Sequence, residues 1–275
     1  MLAAGARLGL TGLGLAGLSV TALAGCSAGG SGTAAGSGGA GSSGRATPTA
    51  PAAGTGTAGT ASSAASSASP PPGPDLTHGP RDHPAVALTF HGAGDPAIVR
   101  DMLATVARAG AHLTVLAIGQ WLAGDPGLAA MIRDGGHDLG NHTWSHQTLP
   151  RLSAAQIRTE VDRAAQELTR LTGSPGRWFR PSGTPSSTPA IRAAAVAAGY
   201  GACLGYDVDP LDYTDPGPDA VVSRFTAGVR PGSIVSLHLG HPGTLRAMPR
   251  LLAVLKSRGL AAVTVSELLK AGPTK

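Results

Sequence analysis

From Ala85 onward the chain alternates short apolar runs with stretches whose apolar residues recur at helical spacing. Ala85–Phe90 (AVALTF) reads as a buried strand, and Pro96–Ala109 sets Ile98, Met102, Leu103 and Val106 on one helical face. A strand at Leu113–Ile118 and a short helix near Asp125–Arg133 follow, then an apolar-poor segment, Gly136–His146. Ser153 with Gln156 three residues on forms a capping box, which predicts a long helix beyond it. Strands are expected at Trp178–Arg180, Ala202–Tyr206, Ser233–His238 and Leu260–Val265, alternating with helices near Ala190–Ala198, Asp219–Ala227 and Thr244–Arg258. Repeated strand-helix units of this length predict an α/β fold with a parallel sheet and helices outside, either open or closed into a barrel. No Gly-x-Gly-x-x-Gly follows the first strand, so a dinucleotide-binding fold loses its main support.

The first 80 residues lack this pattern and carry three charged side chains, Arg7, Arg45 and Asp75. Residues 8–24 are uncharged, short and glycine-rich, which reads as a secretory signal rather than a stable spanning helix. They end in Leu23-Ala24-Gly25-Cys26, which resembles the lipobox of bacterial lipoproteins. That resemblance implies removal of residues 1–25, lipidation of Cys26 and anchoring at the outer face of the bacterial plasma membrane by two acyl chains. An ordinary cleaved signal, with secretion, is the other reading. Residues 26–80 are almost wholly Ala, Gly, Ser, Thr and Pro, with too little apolar surface to offset backbone ordering. As a flexible tether such a segment spans about 40 Å root-mean-square. Residues 81–275 then form one domain, expected to be a monomer. Its Cys203 sits in an apolar context and reads as a buried, inert thiol. The formal charge is +5, but the 18 Arg and 3 Lys are scattered and only nine aromatics are present, which argues against a nucleic-acid partner.

Residues capable of chemistry fall where parallel strands end: His91 and Asp95 after the first, His142 and His146 after a third, and Arg180 after a fourth. Asp207, Asp209 and Asp212 follow the fifth, and His238 and His241 the sixth. The carboxyl ends of such strands gather their loops into one crevice. His142-Thr-Trp-Ser-His146 is the sharpest signal, because two imidazoles four apart on a helical turn share a face and suit a divalent metal ion.

Five ordered segments resemble the polysaccharide deacetylases of the NodB-homology family, carbohydrate esterase family 4, over about residues 84–270. They are Leu88-Thr-Phe-His-Gly92, Gly136–His146, Phe179-Arg-Pro-Ser-Gly183, Tyr206–Tyr213 and Gly232–His238. The resemblance implies a distorted, incomplete (β/α) barrel and metal-dependent removal of acetyl groups from N-acetylated glycan in a cell wall or extracellular polymer. By position it makes His142 and His146 ligands of a zinc-like divalent metal, with Arg180 orienting the base. It has Asp212 orient His238, and His238 protonate the leaving amine.

The family's first motif is Thr-Phe-Asp-Asp-Gly, supplying the base and the third ligand, whereas this chain has His91 and Gly92 there. Two arrangements are open. His91 is the third ligand with Asp95 as base, or Asp95 folds back to bind the metal while neutral His91 takes the proton. Both compete with Asp95 as the N-cap of a helix beginning at Pro96. Ser182, Tyr213 and Leu239 also depart from the family pattern, and His241 reads as a turn residue. Two functions follow: a deacetylase on N- or O-acetylated glycan, or a pseudoenzyme that keeps the barrel and binds glycan without turnover. Hydrolysis of another non-peptide amide on the same scaffold is a third.

Overall fold

The structure, a computed structural model, describes residues 73–270; the signal segment, Cys26 and most of the tether lie outside the described residues. Strand β1 (Ala85–Gly92) is buried along nearly its whole length, as a central parallel strand covered on both faces must be. Helix α1 (Pro96–Arg108) packs Val99, Met102, Leu103 and Val106 inward. There follow β2 (Thr114–Ala117), α2 (Gly119–Gly124), α3 (Gly127–Asp134) and β3 (Asp138–Asn141). Helix α4 (Ala154–Thr172) starts at the reciprocal Ser153–Gln156 capping box and stops at Gly173, whose φ of 79° suits only glycine well. Then come α5 (Pro189–Ala197), α6 (Pro218–Gly228), β4 (Ile234–His238), α7 (Pro242–Ser257), β5 (Ala261–Val263) and α8 (Val265–Lys270).

All pairings between these strands are parallel, in the order β3-β2-β1-β4. Strands β5 and β2 divide one edge of β1, β5 taking Ala85–Ala87 and β2 taking Thr89–Gly92. Beyond β3 and β4 the ring is carried by single bridges, Asn141 to Phe179, Phe179 to Cys203 and Val208 to Val235. The sheet is therefore curved and incomplete rather than a closed barrel. The strands expected at Trp178–Arg180 and Ala202–Tyr206 reduce to these bridges, since Pro181, Gly201 and Gly205 leave no room for a longer ladder.

Side-chain alternation decides what faces the ring. Val86, Leu88 and Phe90 join the core beneath α1 and α7, whereas Ala85 and Ala87 pack with Leu116, Trp178, Leu204, Ile234 and Val265. Continuing the second set along β1 brings Thr89 and then His91 to the inner face. On β4 the same face carries Ile234, Ser236 and His238. The register pairs His91 with His238, and Gly92 with Ala117 and Ala117 with Asn141, so all four strands end at one level.

Three expectations need correction. The folded unit starts before Arg81: Asp75 accepts from Ser187 N (2.6 Å) and Arg192 Nε (3.2 Å), and Leu76 bridges to Leu204. The apolar-poor segment contains β3, which buries a single large apolar side chain, Leu139, beside Gly140 and Asn141. Helix α2, bounded by glycines, carries too little helical pattern to be read from sequence.

Candidate active site

His91 reaches from the inner face of β1 to His142, which directly follows β3. His142 Nδ1 lies 2.9 Å from the Arg180 carbonyl, which can only accept, so Nδ1 carries the proton and Nε2 offers a lone pair. Toward that lone pair points His91 Nδ1, at 2.7 Å, while His91 Nε2 lies 3.0 Å from Ser236 Oγ. The consistent pattern is a neutral chain: Ser236 hydroxyl to His91, His91 to His142, His142 to the carbonyl of Arg180. Burial, followed by the charge of neighbouring His142, holds His91 well below the ordinary imidazole range; burial and then His146 do the same to His142. Neutral rings are the form a metal ion requires.

His146 completes the group, but not on a helical turn as its spacing suggested. Thr143 (φ 70°) and His146 (φ 58°) are both left-handed, and this irregular loop turns His146 back toward His142, with ring centroids 4.8 Å apart. Asn141 Oδ1 accepts from Thr143 N (2.8 Å), and Thr143 Oγ1 donates to Ser182 Oγ (3.1 Å). Ser182 in turn donates to the Gln147 carbonyl (2.5 Å), so a small hydroxyl where the family favours an aromatic pins the ligand loop. The ring nitrogens of His91, His142 and His146 lie within 4.8 Å of one another, the single such group among the described residues. This donor set fits a zinc-like ion, since three neutral imidazoles are a known ligand combination for it. To hold one through Nδ1, His91 would carry its proton on Nε2 and donate it to Ser236, a hydroxyl that can accept as readily as donate.

Asp95 is not part of this arrangement. Its Oδ1 caps α1 by accepting from Ala97 N (2.7 Å), and it lines neither the imidazole group nor the crevice. Both roles offered to it, ligand and base, therefore lose their geometry to the helix cap. Arg180 is buried, with Nε and Nη2 donating to the carbonyls of Leu204 (3.2 Å) and Gly205 (2.9 Å), and burial draws its pKa down to about 10. Its Nη1 has no partner among the described residues, consistent with an imidazole standing at 91 where the family has a carboxylate.

His238 and Asp212 lie side by side. Asp212 is buried, its Oδ1 2.7 Å from His238 Nδ1 and its Oδ2 accepting from His238 N (2.8 Å) and Thr244 Oγ1 (2.7 Å). The other ring nitrogen, Nε2, has no hydrogen-bond partner among the described residues, and the ring stacks on His91 at 4.2 Å. Tyr206, Asp209 and Tyr213, with His91, His146 and His238, line a crevice of about 310 Å³. Asp207 instead receives Arg81 Nη2 (2.7 Å) and Ile234 N (2.9 Å) as a structural brace. His241 pairs with Asp215 (2.9 Å) at the margin. Sequence reasoning missed Ser236, whose signal was its period-two spacing from His238, and Glu160, which carried no local signal.

A parallel α/β scaffold thus gathers an imidazole cluster that could hold a metal ion and a carboxylate-imidazole pair at its strand ends. A family model described as polysaccharide deacetylase matches residues 78–202. A chitooligosaccharide deacetylase of Bradyrhizobium sp. (strain ANU 289) is 31% identical over 198 residues, covering 64% of this chain and 86% of that protein. The peptidoglycan-N-acetylglucosamine deacetylase of Bacillus cereus is 29% identical, with 70% and 91% covered. The uncharacterized protein YlxY of Bacillus subtilis (strain 168) is 26% identical over 70% of this chain, which spans only 59% of that relative. Among solved structures, a mutant of BA3943, a carbohydrate esterase family 4 pseudoenzyme, described as having restored enzymatic activity, superposes with a TM-score of 0.66. It is 26% identical, and the match covers 70% of each chain. The wild-type protein, from Bacillus anthracis, gives the same TM-score of 0.66. The chain belongs to the polysaccharide deacetylase family.

Proposed function

We propose that this protein is a metal-dependent deacetylase of N-acetylated glycan whose ion is held by His91, His142 and His146. The observation that carries the reading is the convergence of three imidazoles from β1, the end of β3 and the following loop beside the His238–Asp212 pair. A bound divalent ion would polarise the acetyl carbonyl and acidify water, the more so because three neutral donors leave its charge undiminished. Asp212 holds His238 by Nδ1 and fixes its orientation, and His238 Nε2, on the crevice side, delivers the proton to the leaving amine. Tyr206 and Tyr213 wall the crevice where a sugar ring would lie, and Asp209 is the carboxylate that faces it. Relatives named for chitooligosaccharide and peptidoglycan N-acetylglucosamine support a polymer of N-acetylated sugar as substrate. The lipobox-like segment ending at Cys26 supports display on the outer face of a bacterial membrane, with the Ala/Gly/Ser-rich stretch as tether. Among the described residues no helix is long and apolar enough to cross a membrane.

One observation favours the second reading, a glycan-binding pseudoenzyme: the carboxylates of the first motif are absent and buried Arg180 Nη1 has no partner among the described residues. Metal analysis of the full-length protein separates the two. The deacetylase reading expects about one equivalent of metal in the parent, background levels in His142→Ala and His91→Ala, and acetate release from N-acetylglucosamine oligomers by the parent alone. A parent without metal or acetate release supports the binding module. Full metal content in His91→Ala removes the three-imidazole centre.

A further inference from the structure

Glu160 lies on α4, outside the motifs that carry the family resemblance, and it is 5% exposed. A carboxylate buried this far is costly unless its lone pairs are satisfied, and no cation of the described residues forms an ion pair with it. Its partners all belong to the loop that carries His146. Oε2 accepts from Ser145 N (2.8 Å), and Oε1 accepts from Ser145 Oγ (2.7 Å) and Gln147 Nε2 (3.2 Å). The residues on both sides of His146 are thus tied to one carboxylate.

That loop needs a tie. Its two left-handed residues, Thr143 and His146, both carry a Cβ and one is β-branched, so the backbone conformation is disfavoured locally and must be enforced from outside. Asn141 and Ser182 enforce it at Thr143. Glu160 is the corresponding brace at His146, whose ring is the most exposed of the three imidazoles.

We propose that Glu160 is a positioning residue for the metal centre: it fixes the Ser145–Gln147 segment so that the His146 ring meets those of His91 and His142. This rests on the three-imidazole reading above. A merely structural Glu160 would change stability and leave ion affinity alone, so affinity is the quantity to measure.

The experiment is zinc titration of full-length protein against a chromogenic chelator, with cobalt(II) absorption as a second readout. Variants are Glu160→Gln and Ser145→Ala, and His146→Ala is the reference for a lost ligand. Glu160→Gln keeps the shape and one acceptor, and is expected to melt within a few degrees of the metal-free parent yet bind zinc about 10- to 100-fold more weakly. Its cobalt spectrum should shift toward that of His146→Ala. Ser145→Ala, which deletes one donor and leaves the carboxylate, should show a smaller loss in the same direction. Zinc affinity in both variants within threefold of the parent overturns the proposal while leaving the three-imidazole centre standing. A parent that binds no zinc overturns both.

Discussion

Position 92 decides whether this site can revert to the ordinary family arrangement. Gly92 falls on the helix-facing side of β1, opposite to His91, and a Cβ there would stand 2.8 Å from Ala117 Cα and 2.9 Å from Val115 Cγ1. Strand β2 has closed into the space a side chain would use, and a strand backbone cannot step aside as a flexible side chain can. Gly92→Asp is therefore expected to lower stability by about 1–3 kcal/mol, the usual cost of overpacking, without strengthening zinc binding. Urea denaturation and chelator competition on the same samples test this. A variant as stable as the parent that binds zinc more tightly would show that β2 yields and that the vacancy is open after all. His91, by contrast, lies on the inner face, where its ring nitrogens meet His142 and Ser236, and its place on the strand is what the proposed coordinating role rests on.

At the scale of elements, Asp95 shows how one side chain can be claimed by the fold. Its carboxylate begins α1 ahead of Pro96, a good N1 residue, and Asn serves equally at such a cap. Asp95→Asn should leave melting temperature, metal content and acetate release unchanged, whereas Asp95→Ala should cost about 1 kcal/mol with turnover per folded molecule intact. A fall in acetate release by Asp95→Asn at unchanged stability would return Asp95 to the reaction. The caps that make α1 and α4 were legible because their signals are local: Asp-Pro in one, Ser153 with Gln156 in the other. The bounds of β3, the strand expected ahead of His142, were not, because burial of Asn141 depends on distant partners, Val161 O and Tyr200 Oη, each 2.9 Å from its Nδ2. The same distinction runs through the site. His91, His142, His146 and His238 were readable from strand ends and motifs, and Asp212 from its place in a motif. Ser236 and Glu160 act across 145 and 15 residues of sequence; Ser236 is announced only by its period-two spacing from His238, and nothing near Glu160 announces its contact. The spacing of His142 and His146 was legible too, but their meeting depends on left-handed backbone that no helical periodicity describes.

For the molecule as a whole, four histidines are moved in acidity and all move the same way. His91, His142 and His146 are lowered first by burial, as is His137, beside which the imidazole of His112 lowers and the carboxylate of Glu267 partly opposes. In the unfolded chain these rings take up protons near the ordinary value of 6.5, while the folded protein resists until lower pH. Between those limits the unfolded state binds more protons, so stability rises with pH and is lost as pH falls below about 6.5. Each well-buried ring, such as His137 or His142, contributes at most about 1.4 kcal/mol per pH unit within its window. A domain of this size loses roughly 2–4 °C of melting temperature per kcal/mol, so the chelator-treated protein should melt about 5 °C or more lower at pH 5 than at pH 6.5. Most carboxylates stay ionised over that interval, which keeps the imidazoles as the main titrating groups. Added zinc should raise the melting temperature at pH 7.5 and lose that effect toward pH 5, because protons and the ion compete for the same nitrogens. A flat melting profile without metal would mean that the rings are already hydrated and charged in the folded state. The neutral chain from Ser236 through His91 and His142 to Arg180 would then be wrong, along with the ion site built on it.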